Sequence, residues 1–326
     1  MNINKITIVT PAYNNLPYIK KTIDSVINQS FKNWEMLISD DGSTDGTIEF
    51  LKTIKNKNIK IFFQKYNLGI FGNLKFLNFK AKTSVIKILC ADDYLPKNSL
   101  KNIALFMQKN KSCHVLTCLD QLSRKNPILK NLLMIENKSY LKFTPKSSMI
   151  AFFAFGNICG NLSRVTYRKS INNKNPVFNQ KYPYAGDYDT WVRFSCKYGF
   201  YLLKKNLVYV RRHIKQTSHV LNKKNDLYPQ LSKIYYFLLK NINKKHYPYL
   251  RKYLLMTLLP SRLSNYTKCL ISGDFKLAKK VFINLPLNIS ILECFIFAIF
   301  YVFKNNPLNM YYKNHIISII ENLNRR

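Results

Sequence analysis

The 326-residue chain is short of negative charge: 16 Asp and Glu stand against 52 Lys and Arg, for a formal net charge of +36. Arginine is scarce among the bases, with 10 residues against 42 lysines. A protein that reads guanine edges or grips phosphates bidentately draws on the planar arginine fork, so a lysine-dominated excess speaks against nucleic-acid binding. The excess is also spread, +23 over residues 1–220 and +13 over 221–326, and 37 asparagines accompany it, which marks compositional drift and no single basic patch. Attraction to an anionic membrane surface needs no special residue and stays open. The seven cysteines, at 90, 113, 118, 159, 196, 269 and 294, include no Cys-x-x-Cys pair. An odd count without paired spacing argues against a disulfide framework and a structural zinc site, and fits a reducing compartment. Long apolar runs are missing too. Cys294–Phe303 falls well short of the about 20 residues that a bilayer crossing takes, so it reads as a buried or interfacial helix. Met1–Lys5 leads into an apolar stretch that Pro11 and Asn14 interrupt too soon for a signal peptide, so the expected location is the cytoplasm. Glycine-rich phosphate loops of the Walker or dinucleotide type are absent, because Gly69–Gly72 lacks their spacing.

What is present is ample core material, 47% hydrophobic and 14% aromatic residues, enough for one large domain with an appendage or for two domains. The first half alternates strand and helix signals. Lys5–Thr10 is β-branched and stops at Pro11; Asn15 stands where it can cap a helix with Pro17 in its first turn and Ile19, Ile23, Val26 and Ile27 on one face. Strands follow at Trp34–Ser39, Ile59–Phe63 and Val85–Leu89, with a helix through Ile48, Leu51 and Ile54 and a glycine-bearing loop at Asn67–Gly72. Strands separated by helices, with little period-2 alternation, imply a mostly parallel α/β sheet covered on both faces, whose ligands bind beyond the carboxyl ends of the strands. Residues 120–185 read as an irregular insert, and a last core strand is expected at Leu202–Val210. From Leu227 onward helices dominate, at Leu231–Leu239, Tyr249–Leu259 and Phe275–Ile283. The expected division is residues 1–219, with halves 1–119 and 120–219, followed by a helical region 220–326 that rests on an anionic leaflet, packs on the first domain or mediates oligomers.

The scarce acids carry the signal. Seven of the 11 aspartates fall in three groups: Asp40, Asp41 and Asp45; Asp92 and Asp93; Asp187 and Asp189. Adjacent carboxylates raise each other's pKa unless a cation or a donor-rich ligand compensates. Hard oxygen donors on a loop after a strand suit Mg²⁺ or Mn²⁺, which bind through one or two carboxylates plus substrate phosphates. Taken alone, Asp40–Ser43 is equally a turn and helix cap, and Asp187 is equally a cap for the helix carrying Trp191–Phe194. Asp189 suits the first turn of that helix.

In order along the chain, Thr10-Pro11-Ala12-Tyr13-Asn14, Ser39-Asp40-Asp41-Gly42-Ser43-Thr44-Asp45, Asn67-Leu68-Gly69, Ala91-Asp92-Asp93 and Gly186-Asp187-Tyr188-Asp189-Thr190-Trp191-Val192-Arg193 resemble the motifs of inverting family 2 glycosyltransferases. The resemblance covers about residues 4–215 and implies the GT-A fold and a nucleotide-sugar donor. It implies that Thr10 and Asp41 hold the base, with Pro11, Tyr13, Asn67 and Gly69 around the nucleotide. Asp92 then faces the ribose and Asp93 holds a Mn²⁺ or Mg²⁺ that bridges the diphosphate, with His213 a further candidate for metal or diphosphate. Asp187 matches the base that takes the proton from an acceptor hydroxyl as that oxygen attacks the anomeric carbon. An Asp accepting a base N–H favours a uracil-like edge, since a lost polar partner in a closed site is costly; the donor expected is UDP-linked, the acceptor a glycan or a lipid-linked sugar of a surface polysaccharide. Arg211 and Arg212 are equally diphosphate clamps or solvated cations. Cys90 fits as a small buried hydrophobe, and Asn161-Leu162-Ser163 falls in the stretch expected to contact donor sugar and acceptor. Two alternatives stand beside this reading: a transferase acting on polyprenyl phosphate, and a non-enzymatic basic binding module in which the aspartates are only caps.

Overall fold

The structure is a computed structural model, and it describes residues 3, 5–123, 129, 132–133, 138–169, 178–213, 227–276, 278–279 and 307–325. Two compact units result, one of Met1–Phe143 with Cys159–Arg212, the other of Thr144–Ile158 with His213–Arg326.

The first unit is built on an eight-stranded sheet. Strands β1 (Ile6–Ala12), β2 (Trp34–Asp40), β3 (Ile59–Phe63), β4 (Val85–Ile88), β5 (Val115–Asp120), β6 (Tyr140–Phe143), β7 (Val165–Arg168) and β8 (Phe200–Val208) lie in the order β3-β2-β1-β4-β7-β5-β8-β6. The β-branched run of β1 and the mostly apolar β2 bury every or nearly every residue, as strands covered on both faces must. Helices α1 (Leu16–Ile27), α2 (Thr47–Lys52), α3 (Gly69–Lys80) and α4 (Ser99–Lys109) connect the first five strands, and α6 (Gly186–Tyr198) leads into β8. Ile19, Ile23 and Val26 of α1 and Leu100, Ile103 and Met107 of α4 share one cluster with Ile6, Ile8, Met36 and Ile38. Helix α6 is anchored by Trp191, fully buried among Tyr167, Phe178 and Phe194.

The expected fold class holds, while the readings of two stretches are corrected. The pairings of β1 with β2, β1 with β4, β2 with β3 and β5 with β8 are parallel, but those of β4 and β5 with β7 and of β6 with β8 are antiparallel, so the sheet is mixed. The antiparallel strands come from the stretch read as an irregular insert: β7 threads between β4 and β5, and α5 (Pro145–Phe155) is a regular helix. The loop expected at Asn67–Gly72 is in fact the entry to α3, which begins at Gly69.

The second unit is helical: α5, α7 (Leu227–Asn241), α8 (Tyr247–Ile271) and α9 (Pro307–Arg325). Phe153 and Phe155 of α5 meet Tyr235 and Tyr253 edge to face. Asn324 accepts from the Thr144 amide at 3.3 Å and from Ser147 Oγ at 2.6 Å, tying the end of α9 to the start of α5. Of the helix expected at Phe275–Ile283, residues 275, 276, 278 and 279 are described and helical; Cys294–Phe303 lies outside the described residues. Among the described residues no helix is long and apolar enough to cross a membrane.

Candidate functional site

The carboxyl ends of β2, β1 and β4 are adjacent, because β1 pairs in parallel with both others. That topology brings Thr10–Tyr13, Asp40–Asp41 and Cys90–Asp93 to one edge of the sheet. The Asp41 amide donates to the Ala12 carbonyl at 2.9 Å, closing β2 onto β1.

Within the first acidic group the two neighbours divide. Asp40 builds the loop: Oδ1 accepts from the Gly42 and Ser43 amides and Oδ2 from Ser43 Oγ at 2.5 Å. Asp41 turns toward α3, where its Oδ1 accepts from the Leu68 amide at 2.8 Å. Burial pushes the Asp41 carboxyl up, against the lowering influence of the Leu68 and Gly69 amides. The third member, Asp45, accepts from the Thr47 amide and hydroxyl and from the Leu16 amide, so it serves the starts of α2 and α1. Asn15 stands at the cap position of α1 as expected, but its side chain does no capping there and accepts from the Tyr13 amide instead. Asn14, with φ +52°, locks the two loops together: its amide donates to Ser43 Oγ and its Oδ1 accepts from the Thr44 amide. Asparagine is among the few residues that adopt this backbone readily. Asn67 Oδ1 accepts from the Gly69 amide at 2.9 Å, and Gly69 itself has φ +69°. Pro11 is buried in β1, the Tyr13 ring is half exposed at the edge, and the buried Thr10 hydroxyl has no hydrogen-bond partner.

The second group sits after β4. Asp93 is only 1% exposed; its Oδ1 accepts from the Arg211 amide at 3.0 Å and its Oδ2 is buried with no hydrogen-bond partner. Burial, then the charge of Asp92, push the Asp93 carboxyl up to about 7, while the Ser163 hydroxyl and the Arg211 amide pull it back. A ligand atom each from Cys90, Asp92 and Asp93 lie within 4.8 Å of one another. A buried carboxylate oxygen with no donor beside a second acid is an arrangement a cation completes. The side chain of Arg211 packs between aromatic rings, its guanidinium 5.1 Å from the Tyr18 centroid and 5.3 Å from that of Tyr94.

Three further residues shape this floor, and two of them, Lys87 and Arg164, escaped the sequence reading. Lys87, fully buried within β4, donates to the Ser163 carbonyl, and burial pulls its ammonium down. Ser163 Oγ accepts from the Cys90 amide at 2.8 Å. Arg164 is buried and donates through Nε to the Cys118 carbonyl at 2.7 Å. Ser163 thus shapes the turn before the aspartates. The one available signal was a lysine inside an otherwise apolar strand.

Asp187 is half buried in the first turn of α6, with Oδ1 accepting from the Tyr188 amide at 2.7 Å. The cap position belongs to Ala185, so the capping alternative for Asp187 is not realised. Asp189 pairs with Arg193 at 2.7 Å, one helical turn on. What sets the depth of Asp187 is Gly186: a Cβ there would stand 2.6 Å from the Phe71 ring of α3, the helix whose entry carries the Leu68 amide bound by Asp41. Gly186→Ala is therefore expected to lower stability by about 1–3 kcal/mol through overpacking and to cut any transfer activity, with Phe71→Leu recovering part of both; denaturant midpoints and turnover of the single and double variants check this. His213 is half buried and begins the C-terminal part of the second unit.

Comparison with known proteins gives a consistent result. Residues 7–163 match the model of Glycosyl transferase family 2. An uncharacterized glycosyltransferase of Haemophilus influenzae is 28% identical over 239 residues, which cover 67% of this chain and 68% of the relative. The crystal structure of S. aureus TarS 1–349 in complex with UDP-GlcNAc superposes with a TM-score of 0.59 at 19% identity, over 76% of this chain and 70% of that one. The mannosyltransferase PcManGT from Pyrobaculum calidifontis, in complex with GDP-Man and Mn²⁺, gives 0.56 at 15% identity, over 98% and 86%. With its mixed sheet flanked by helices, its added C-terminal helices and its match to the family 2 model over residues 7–163, the chain is a glycosyltransferase on a GT-A fold.

Proposed function

We propose that the enzyme is an inverting transferase that moves a sugar from a UDP-linked donor to a hydroxyl of a glycan or lipid-linked acceptor in surface-polysaccharide synthesis. The observation that carries the donor half is the unpartnered, buried Oδ2 of Asp93 at the same sheet edge as Asp41 and Thr10. The oxygen-rich donor set of Asp92 and Asp93 suits Mg²⁺ or Mn²⁺, and the Mn²⁺ bound with GDP-Man in PcManGT supports the same class of ion. A divalent cation held by Asp93 supplies Lewis-acid stabilisation of the departing diphosphate. His213 remains a candidate ligand on the family resemblance.

The chain's own residues do the rest. Asp41, with Oδ1 fixed by the Leu68 amide, keeps its other oxygen for a base N–H, and Thr10, Pro11, Tyr13, Asn67 and Gly69 frame the nucleotide around it. Asp92 takes the ribose hydroxyls. Asp187 accepts the acceptor's proton while the oxygen attacks the anomeric carbon from the face opposite the diphosphate, so that one displacement inverts the centre. In this reading residues 1–219 are the catalytic region, although Thr144–Ile158 pack with the helical unit, and 220–326 serve a membrane surface or association. UDP with Mn²⁺ is expected to raise the melting temperature, since at a hundredfold excess over Kd a ligand adds about 2.7 kcal/mol. A panel of nucleotide sugars, scored for slow hydrolysis with Mn²⁺, then fixes the donor. Indifference to UDP with Mn²⁺ overturns this reading in favour of a basic binding module, and transfer to a lipid phosphate but to no hydroxyl acceptor favours the polyprenyl-phosphate alternative.

A further inference from the structure

The second unit contains a cavity of about 500 Å³ that the proposed chemistry does not use. It opens between the first turn of α5, the connection from α7 to α8 and the end of α9, and three basic side chains line it: Lys146, Lys245 and His246. Its apolar wall is Met149, Ile150 and Ile242. The lining includes no carboxylate, and the two described acids of this unit, Asp274 and Glu321, are not part of it. Neither Lys146 nor Lys245 has a hydrogen-bond or ion-pair partner for its ammonium among the described residues. The carbonyl of Leu323, which might have served, accepts from Thr144 Oγ1 at 3.2 Å. His246 is also within the field of Lys245 and of His315, whose ring lies 4.1 Å from that of Tyr249 at a tilt of 34°; burial first, then these neighbours, pull the His246 imidazole down.

Two ammonium groups at one concavity, with an imidazole donor beside them and no carboxylate in the lining, suit an anionic ligand. Compositional drift toward lysine scatters lysines over a surface; here Lys146 and Lys245, both exposed, and the half-buried His246 line one concavity whose described lining holds no carboxylate. The volume lies in the range of small-molecule sites and far exceeds a bare anion, while the apolar wall suits an organic group. Lysine is an established binder of phosphate as a point charge.

We propose that this cavity is a binding site for a phosphate ester whose organic part rests on Met149, Ile150 and Ile242. Such a group comes either from a lipid headgroup or from a free phosphate monoester. The test uses the full chain and two probes, glycerol 3-phosphate by titration calorimetry and phosphatidylcholine vesicles with and without phosphatidic acid by sedimentation. Lys146→Gln/Lys245→Gln is compared with Lys268→Gln/Lys276→Gln, which removes the same charge from exposed positions of the same unit. The expected result is saturable binding of at least one probe, weakened at least about tenfold by the first pair and within about twofold of the parent for the second, with unchanged melting temperatures. Binding of glycerol 3-phosphate identifies a free ester as the source; response to phosphatidic acid vesicles alone identifies a headgroup. Failure of both probes to bind saturably, or equal loss in the two pairs, overturns the proposal.

Discussion

Asp187→Asn is expected to lower kcat by about 10²- to 10⁴-fold, the usual contribution of a positioned general base, while the affinity for UDP with Mn²⁺ stays within a factor of about two. The amide keeps the shape of the side chain and its contact with the Tyr188 amide through an oxygen, so folding and donor binding are spared and only proton acceptance is lost. Asp189→Asn is the matched control. It weakens the largely buried, doubly hydrogen-bonded ion pair with Arg193 one turn along the same helix, and its expected effect is a loss of stability of about 1–3 kcal/mol with turnover largely kept. Turnover and calorimetric Kd for the two variants decide the matter: if Asp187→Asn transfers sugar at the parental rate, the base lies elsewhere.

The second large effect is expected at Asp93. Asp93→Ala should abolish the Mn²⁺ dependence of nucleotide binding, because it removes the buried oxygen that has no other partner. The same substitution frees the Arg211 amide of its acceptor, so a destabilisation of about 1–3 kcal/mol is the accompanying cost. The parent's pH dependence follows from the same carboxyl. Its pKa is raised from 3.8 to about 7 in the fold, so between those values the native state holds a proton that the unfolded chain has lost. The contribution of Asp93 to stability without metal therefore falls as pH rises through that window and levels off above it. Cation binding requires the ionised form and runs the opposite way, so Mn²⁺ affinity should climb from pH 6 to pH 8 and flatten beyond. Calorimetric titration of Mn²⁺ across that range checks it; a flat profile would show that another group holds the ion.

The strands that carry these residues were readable because their local chemistry and their burial agree. β1 is β-branched from Ile6 to Thr10 and β2 is mostly apolar from Trp34 to Ile38, and they end at Pro11–Ala12 and Asp40; β3 occupies the expected span, Ile59–Phe63. Helix α3 was missed because two of its first four residues are glycines, poor helix formers. Its start is held from outside, by Asp41 at the Leu68 amide and by Asn73, whose Nδ2 donates to the Ser39 carbonyl at 2.8 Å. β6 and β7 are four residues each and lack a pattern of their own. They are strands because distant segments offer unpaired edges, β8 to the one and β4 and β5 to the other.

By itself the sequence determined which side chains are chemically available: few acids, grouped, after strands whose carboxyl ends were foreseeable from β-branched runs. Periodicity is a local property, and so are turn residues, so both can be read along the chain. Only the tertiary structure decided what each acid does. Asp40 and Asp41 are neighbours with the same side chain, yet one closes a local loop onto the Ser43 amide while the other meets the Leu68 amide, 27 residues away. Likewise the cost of burying Lys87, and of leaving Asp93 Oδ2 without a donor, exists only once the sheet has closed around them and excluded water.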